Sequence, residues 1–191
     1  MPDAPENYEK VSIYPLDDDV REKLLDTQIE CVFNWSTREG WPMGVIMSCF
    51  WKNGRMWLTA GANRHRISAI RRDPRCSVVV TSTGTTLGPG KSVTIKGRCV
   101  IHEDSETKAW FYPGFSDHLS PHDEKNARDF ESRLDSPLRV VLEVIPEKFI
   151  SYDGLKMLQH SQGNYDDSLL AEPKESDTIR LEQELKKRGL D

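Results

Sequence analysis

Between Trp57 and Arg75 the chain runs WLTAGANRHRISAIRRDPR, and this stretch constrains the fold most. Trp57 to Ala60 is a short apolar strand, Gly61 and Ala62 make a turn, and a helix then runs to Arg72 and must stop near Pro74. Asn63 is the expected N-cap, because its side chain can accept from the free N–H groups that follow. Ile67 and Ile70 lie three apart and share a face that can pack on a sheet. At about 100° per residue, Arg64 and Arg66 fall on either side of that apolar stripe. Two readings fit. A helix start flanked by two guanidiniums can seat a phosphate, with Thr59 adding a hydroxyl from the strand end. The same pattern also describes a solvated basic face on a short surface helix. Arg71, Arg72 and Arg75 suit the second reading, since cations favour a helix C-terminus.

The surroundings of this stretch favour antiparallel β-structure. Pro42 to Trp51 is a strong strand, Lys52 to Arg55 (KNGR) a hairpin turn, and Met56 to Ala60 the return strand. Cys76 to Ser82 is a buried strand, followed by a Gly/Thr/Pro loop over Thr83 to Gly90. Lys91 to His102 alternates Val93 and Ile95 with Ser92, Thr94 and Lys96. Leu138 to Pro146 and Phe149 to Tyr152 close the set, and Cys31 to Trp35 opens it. Helices are expected over Asp17 to Gln28, from Asp104 to about Trp110, and from a Ser120 cap with Pro121 at its first position to about Leu134. Tyr112 to Leu119 reads as a loop. Strands come in adjacent runs, so an antiparallel sheet or barrel with helices outside it is expected. No GxGxxG follows a strand, which leaves a Rossmann fold unsupported. Beyond Gly154 the chain turns polar: Gln159 to Ser176 reads as an extended arm, and Thr178 to Arg188 as a charged helix closed by Gly189. Residues 1–15 read as an irregular arm.

Composition limits the function classes. The chain has 191 residues, enough for one domain with a proper core. Its net charge of −5 disfavours nucleic acid and anionic membrane as partners. Yet Arg64 to Arg75 holds five arginines against Asp73 alone, a local excess suited to a small anion. No apolar run is long enough to span a bilayer, and the acidic start is unlike a signal peptide, so a cytoplasmic protein is expected. Cys31, Cys49, Cys76 and Cys99 form no CxxC, and the five histidines form no HxxxH or HExxH. Buried thiols and no protein-built metal site are expected.

The succession PMGVIMSCFWKNGRMWLTAGANRHRISAIRRDPRCSVVV, then KSVTIKGRCVIHED, then RVVLEVIPEKFISYDG resembles the pyridoxamine 5′-phosphate oxidase-like flavin-binding split-barrel family, over roughly residues 20–155. The resemblance implies a mainly β fold with peripheral helices, a six-stranded antiparallel split β-barrel over residues 1–155, followed by a C-terminal arm and short helix over 156–191. It also implies a homodimer with two flavin sites in its interface. Met43, Gly44, Val45, Ile46 and Met47 would lie along the isoalloxazine. Thr59 matches the strand-end hydroxyl near the phosphate, Arg66 the phosphate-binding basic residue, and Arg64 or His65 a second basic position. Ser92 falls where true pyridoxamine phosphate oxidases place a glutamine on the flavin, and a serine is shorter. Those oxidases also end in a tryptophan-rich segment with an Arg-x-His motif, which SYDGLKMLQHSQGNYDD does not match, so vitamin B6 oxidation is not expected.

The expectation is therefore an FMN-dependent oxidoreductase with an undefined small-molecule substrate and no assigned catalytic residue. Flavin carries its own hydride chemistry, which suits a chain with no triad or paired-carboxylate signature. Trp41, Trp110, Phe111, Tyr112 and Phe115 are candidates to line the substrate's path. One alternative is a 5-deazaflavin cofactor, its longer anionic tail held by Arg71, Arg72, Arg75 and Lys91. Another is a non-enzymatic flavin- or haem-binding protein, with His65, His102, His118 or His122 as axial ligand.

Overall fold

A computed structural model describes residues 9–190. The expected barrel is present, built from one curled sheet. The strands are β1 (Glu30–Ser36), β2 (Pro42–Ser48), β3 (Phe50–Lys52), β4 (Arg55–Gly61), β5 (Arg75–Thr81), β6 (Lys91–His102) and β7 (Arg139–Asp153). Their spatial order is β2-β1-β5-β6-β7-β4-β3, and every neighbouring pair is antiparallel. The two outermost strands, β2 and β3, are separated in the chain by Cys49 alone. The sheet must therefore curl until its edges meet at that residue. Counted as one bent strand, β2 and β3 give the expected six; the break at Cys49 makes seven. Among the described residues no ladder joins β2 to β4. The barrel is sealed where β3 pairs with β4 and split where β2 diverges from it.

The alternation read in the sequence sets the core. Cys31, Phe33 and Trp35 of β1 point inward, as do Met56, Leu58 and Ala60 of β4, joined by Val78, Val80, Val93, Ile95 and Leu142. Two helices plug this interior, α1 (Asp18–Thr27) with Leu24 and Leu25, and α2 (His65–Arg72) with Ile67 and Ile70. A second apolar cluster forms outside the barrel, where Trp57 and Val141 meet Phe111, Tyr112, Phe115 and Leu134. These last four belong to α3 (Ser105–Leu119) and α4 (Glu124–Leu134).

Several boundaries differ from the sequence reading. α3 continues to Leu119 through the segment Tyr112–Leu119 expected as a loop, carrying Pro113 in its interior. Burial of Phe111 and Phe115, one turn apart, offsets the proline's missing hydrogen bond. α4 starts at Glu124 and is capped by Asp123, whose carboxylate accepts from Asn126 N at 2.9 Å, in place of Ser120. After β7 an additional helix, α5 (Gly154–Ser161), is capped by the buried Asp153, and α6 begins at Glu175 and ends at Arg188. Gly189 caps α6 with φ of 67°, a left-handed conformation that glycine adopts without a side-chain clash. Of the 1–15 arm, Val11–Ile13 forms a 3-10 turn with Ile13 buried, and Tyr14 packs fully buried; residues 1–8 lie outside the described residues.

The outward face of the sheet carries a row that crosses five strands. Register places Ile46, Val32, Val79, Thr94 and Ile150 in a single row across five strands. Ile46 is 71% exposed and Ile150 48%, with Val32, Val79 and Thr94 half-buried between them, and Ile150 also lines a cavity with Ser176, Asp177 and Arg180 of α6.

β7 contains Pro146, which sits beyond the end of the β4 ladder and at a bulge where Lys96 and Gly97 of β6 shift register. A Cβ on Gly97 would drive into the Ile145 carbonyl oxygen. Gly97→Ala is expected to lower stability by about 3 kcal/mol, read from urea unfolding, because the obstructing atom is backbone. A change near zero would mean that the bulge relaxes freely.

Candidate functional site

The split between β2 and β4 is where the polar groups gather. The turn after β4 is pinned from both sides: Ala62 N donates to Leu138 O at 2.6 Å, and Arg64 N to Gly61 O at 3.0 Å. α2 then begins one residue later than expected. Its N-cap is Arg64, which makes no side-chain capping bond, and Asn63 does not cap. The first-turn N–H groups are thus left without a side-chain acceptor, beside two arginines. Ile67, Ala69 and Ile70 anchor the opposite face in the core, so the basic face is held outward.

A cavity of about 610 Å³ opens beside this helix start. Trp35, Met43, Val45 and Ala69 supply its apolar lining, and Arg64, His65 and Arg66 a basic wall. Arg66 is the notable group. Its Nε is buried and has no hydrogen-bond partner, and burial, then the nearby Arg64, lowers its pKa below the usual arginine value. An anion at this position would relieve both effects. Arg38 and Arg72 also line the cavity; Arg72 donates to Ser36 O at 2.6 Å and so ties α2 to the β1–β2 turn. Arg71 and Arg75 are engaged elsewhere, with Glu103 at 2.5 Å and Asp73 at 2.6 Å. Arg75 draws the Asp73 carboxyl down to about 2.

The edge of β2 adds a second element. Thr37 N donates to Trp41 O, and Cys49 N to Ile29 O. These two bonds fix the phase of an uninterrupted β1–β2 ladder. The phase directs the N–H and C=O groups of Gly44 and Ile46 away from β1, toward the split. Gly44 is also tightly placed, since a Cβ there would stand 2.5 Å from Asn34 Oδ1.

The ten residues singled out from the sequence do not all meet in one chain. Met43, Val45, Arg64, His65 and Arg66 line the cavity. Gly44 and Ile46 lie exposed on the adjoining edge strand. Met47 is buried in the core. Thr59 donates its hydroxyl to Val140 O at 2.8 Å. Ser92 pairs with Thr81 and Tyr152 on β6, three strands from β2. Of the aromatic residues considered for the substrate's path, Phe111, Tyr112 and Phe115 are packed into the second core, and Trp110 stacks edge-on against Trp57. Trp41 is exposed at the start of β2. The cavity's aromatic residue is instead Trp35, whose inward position was readable from the Cys31/Phe33/Trp35 alternation. Nothing local in the sequence singled out Arg38. Of the histidines, His65 alone lines this cavity; His102 lies 2.9 Å from Glu143, and His118 packs on Phe50. Among the described residues no group of three or more His, Cys, Asp and Glu could hold a metal, and no helix is long and apolar enough to cross a membrane.

Asn63→Ala is expected to change unfolding free energy by less than about 0.5 kcal/mol, since no cap is lost. A loss of about 1 kcal/mol would restore Asn63 as the cap.

The fold is shared with a conserved hypothetical protein from Mycobacterium tuberculosis at a TM-score of 0.64 and 16% identity, over 74% of this chain and 88% of that one. An F420 reductase aligns at 0.52 and 19% identity, over 68% of this chain and 94% of its own. A FAD-binding protein from Mesorhizobium loti aligns at 0.52 and 18% identity, over 71% and 94%. No curated protein matches the chain. A family model described as pyridoxamine 5′-phosphate oxidase matches residues 16–152, from ahead of α1 almost to the end of β7. With most of its length under that match and the split barrel in place, the chain belongs to the pyridoxamine 5′-phosphate oxidase family.

Proposed function

We propose that the protein is an FMN-dependent oxidoreductase acting on a small molecule, with the cofactor bound in a homodimer interface. The observation that carries this is the buried, unpartnered Nε of Arg66 at an uncapped helix start, beside a cavity far larger than a phosphate needs. Arg66 and Arg64 would take the phosphate by charge-assisted hydrogen bonds, with first-turn N–H groups of α2 other than that of Ile67, which donates to Arg64 O, adding to them. The outward N–H and C=O groups of Gly44 and Ile46 offer donors and acceptors to the polar edge of a flat heterocycle. Trp35, Met43 and Val45 would keep the ring's surroundings dry. Bound flavin would supply the hydride or electron transfer. The F420 reductase and the FAD-binding protein of the same fold agree with a flavin-type ligand.

Two further observations shape the reading. The deazaflavin alternative relies on Arg71, Arg72, Arg75 and Lys91; Arg72 lines the cavity and donates to Ser36 O, while Arg71, Arg75 and Lys91 face Glu103, Asp73 and Asp153 at 2.5, 2.6 and 3.8 Å. With those cations engaged, a long anionic tail finds little beyond the cavity, and FMN is favoured. The row Ile46–Val32–Val79–Thr94–Ile150, exposed at Ile46 and half-buried along its middle, supports a second copy of the chain as the sheet's cover. Such a dimer would bring residues of the partner, Ser92 among them, toward the split.

Purified protein is expected to carry the absorption spectrum of an oxidised flavin, or to acquire it with FMN. Arg66→Ala should weaken FMN binding by about 2 kcal/mol in a fluorescence titration, because a charge-assisted bond is lost. Affinity equal to that of the unaltered protein would remove Arg66 from the site. Val79→Arg, at the centre of the row, should convert a dimer to a monomer in sedimentation and release the flavin. A dimer that survives this change would place the interface on another surface.

A further inference from the structure

The two ends of the described chain meet at the last residues of β7, and none of the residues involved lines the cavity at the split. Asp153 N donates to Tyr14 O at 2.9 Å and Leu16 N to Ser151 Oγ at 3.1 Å, which lays the N-terminal arm, residues 10–17, along the end of β7. The same arm is bonded to the segment that follows β7. Ala171 N donates to Ile13 O at 3.1 Å, and Lys174 N, just ahead of α6, to Ser12 Oγ at 3.2 Å.

Side-chain burial agrees with this arrangement. Ile13 is 2% exposed and Tyr14 is fully buried, yet neither belongs to the barrel core or to the second apolar cluster. Their contacts come from beyond β7: the His160 ring stands 5.7 Å from that of Tyr14, and Ala171 reaches the Ile13 carbonyl. The arm is therefore covered by the C-terminal segment as well as resting on the barrel.

α5 supplies the polar grip. Lys156 and His160 lie four apart and share one helix face. Lys156 Nζ donates to Pro15 O at 3.1 Å and to Asp17 Oδ1 at 2.7 Å. His160 is itself buried; its Nδ1 lies 2.7 Å from Tyr14 Oη and its Nε2 3.2 Å from Asp167 Oδ1. A carboxylate can only accept, so Nε2 carries a hydrogen, and in the neutral ring Nδ1 accepts the Tyr14 O–H. One imidazole thus joins three segments: the arm, α5 and the turn Asp167–Leu169. Removing the phenol leaves a buried ring nitrogen without that partner, which costs more than the bond alone is worth. Of the groups in these bonds, only Ser151 and Asp153 belong to the barrel strands.

We propose that the arm 10–17 and the segment 154–174 form a latch, which opens and closes as one unit while the barrel stays folded, with His160 as its buckle. Proteins open locally in such cooperative units, and the elements with few ties to the core open first. An open latch uncovers Ile13 and Tyr14 and frees the edge of β7 at Ser151 and Asp153, an edge of the kind that invites pairing with another chain. The latch does not depend on which ligand occupies the split.

The test is amide hydrogen exchange, read residue by residue by NMR on the full-length protein and on Tyr14→Phe and Asp167→Ala. The first variant keeps the buried ring and removes only the hydroxyl; the second changes a side chain that is 83% exposed. In the unaltered protein the amides of Leu16, Asp153, Ala171 and Lys174 should share one level of protection, lower than that of Val78, Val93 and Leu142 in the barrel. Tyr14→Phe should speed exchange of those four together by about tenfold and leave the barrel amides unchanged, with a smaller joint effect from Asp167→Ala. Circular dichroism checks that both variants fold. Amides that respond one at a time, no acceleration in Tyr14→Phe, or barrel amides that accelerate equally would each overturn the latch.

Discussion

The structure depends on a single geometric constraint, the need for β2 and β3 to occupy opposite edges of one sheet while joined through Cys49. A seven-stranded sheet can meet that requirement only by curling into a barrel. Closure is achieved by the short β3–β4 ladder, register Phe50↔Trp57 to Lys52↔Arg55. Above it β2 follows β1, and β4 runs on beside β7 into the turn before α2. The backbone groups of Gly44 and Ile46 are consequently left unpaired at the split, where a sheet would ordinarily continue. Unpaired edge groups invite either another chain or a ligand, and the cavity beside α2 makes room for the latter.

The same geometry sorts the arginines of the organising stretch. They are adjacent in sequence but have different partners in space. Arg71 and Arg75 reach acids on neighbouring segments, and Arg72 reaches a backbone carbonyl of the β1–β2 turn. Arg64 and Arg66, at the opposite end of the helix, face the cavity. Exposed pairs such as Arg71–Glu103 contribute little to stability, but they remove those cations from competition for a ligand. The positive potential is concentrated on one short wall within an otherwise acidic chain.

Much of the fold was legible because its signals are local. The Asn-Gly turn, the period-two alternation of β1 and β6, and the Gly189 cap each follow from a few neighbouring residues. The misjudged elements were those in which packing overrode a local signal. Pro113 and the aromatic run before it suggest a loop, yet burial against Trp57 and Val141 keeps the helix intact. Asn63 is a good capping residue, but the tight Gly61–Arg64 turn starts the helix one position later. The site was legible only in part. Arg64 and Arg66 could be placed at the helix start, on either side of its apolar stripe, whereas Trp35, Arg38 and Arg72 join them through long-range closure that no local pattern encodes. Ser92, identified by resemblance alone, lies three strands away in the same chain.

The account turns on an anion being gripped at the start of α2 while a flat ring occupies the split. Comparing equilibrium affinities for FMN and riboflavin tests this most directly, since the two ligands share the ring and differ in the phosphate. The account predicts that FMN binds about 100-fold more tightly, corresponding to about 3 kcal/mol from charge-assisted contacts, and that the gap narrows as salt is raised. Equal affinity for the two ligands, or binding of neither, would contradict it.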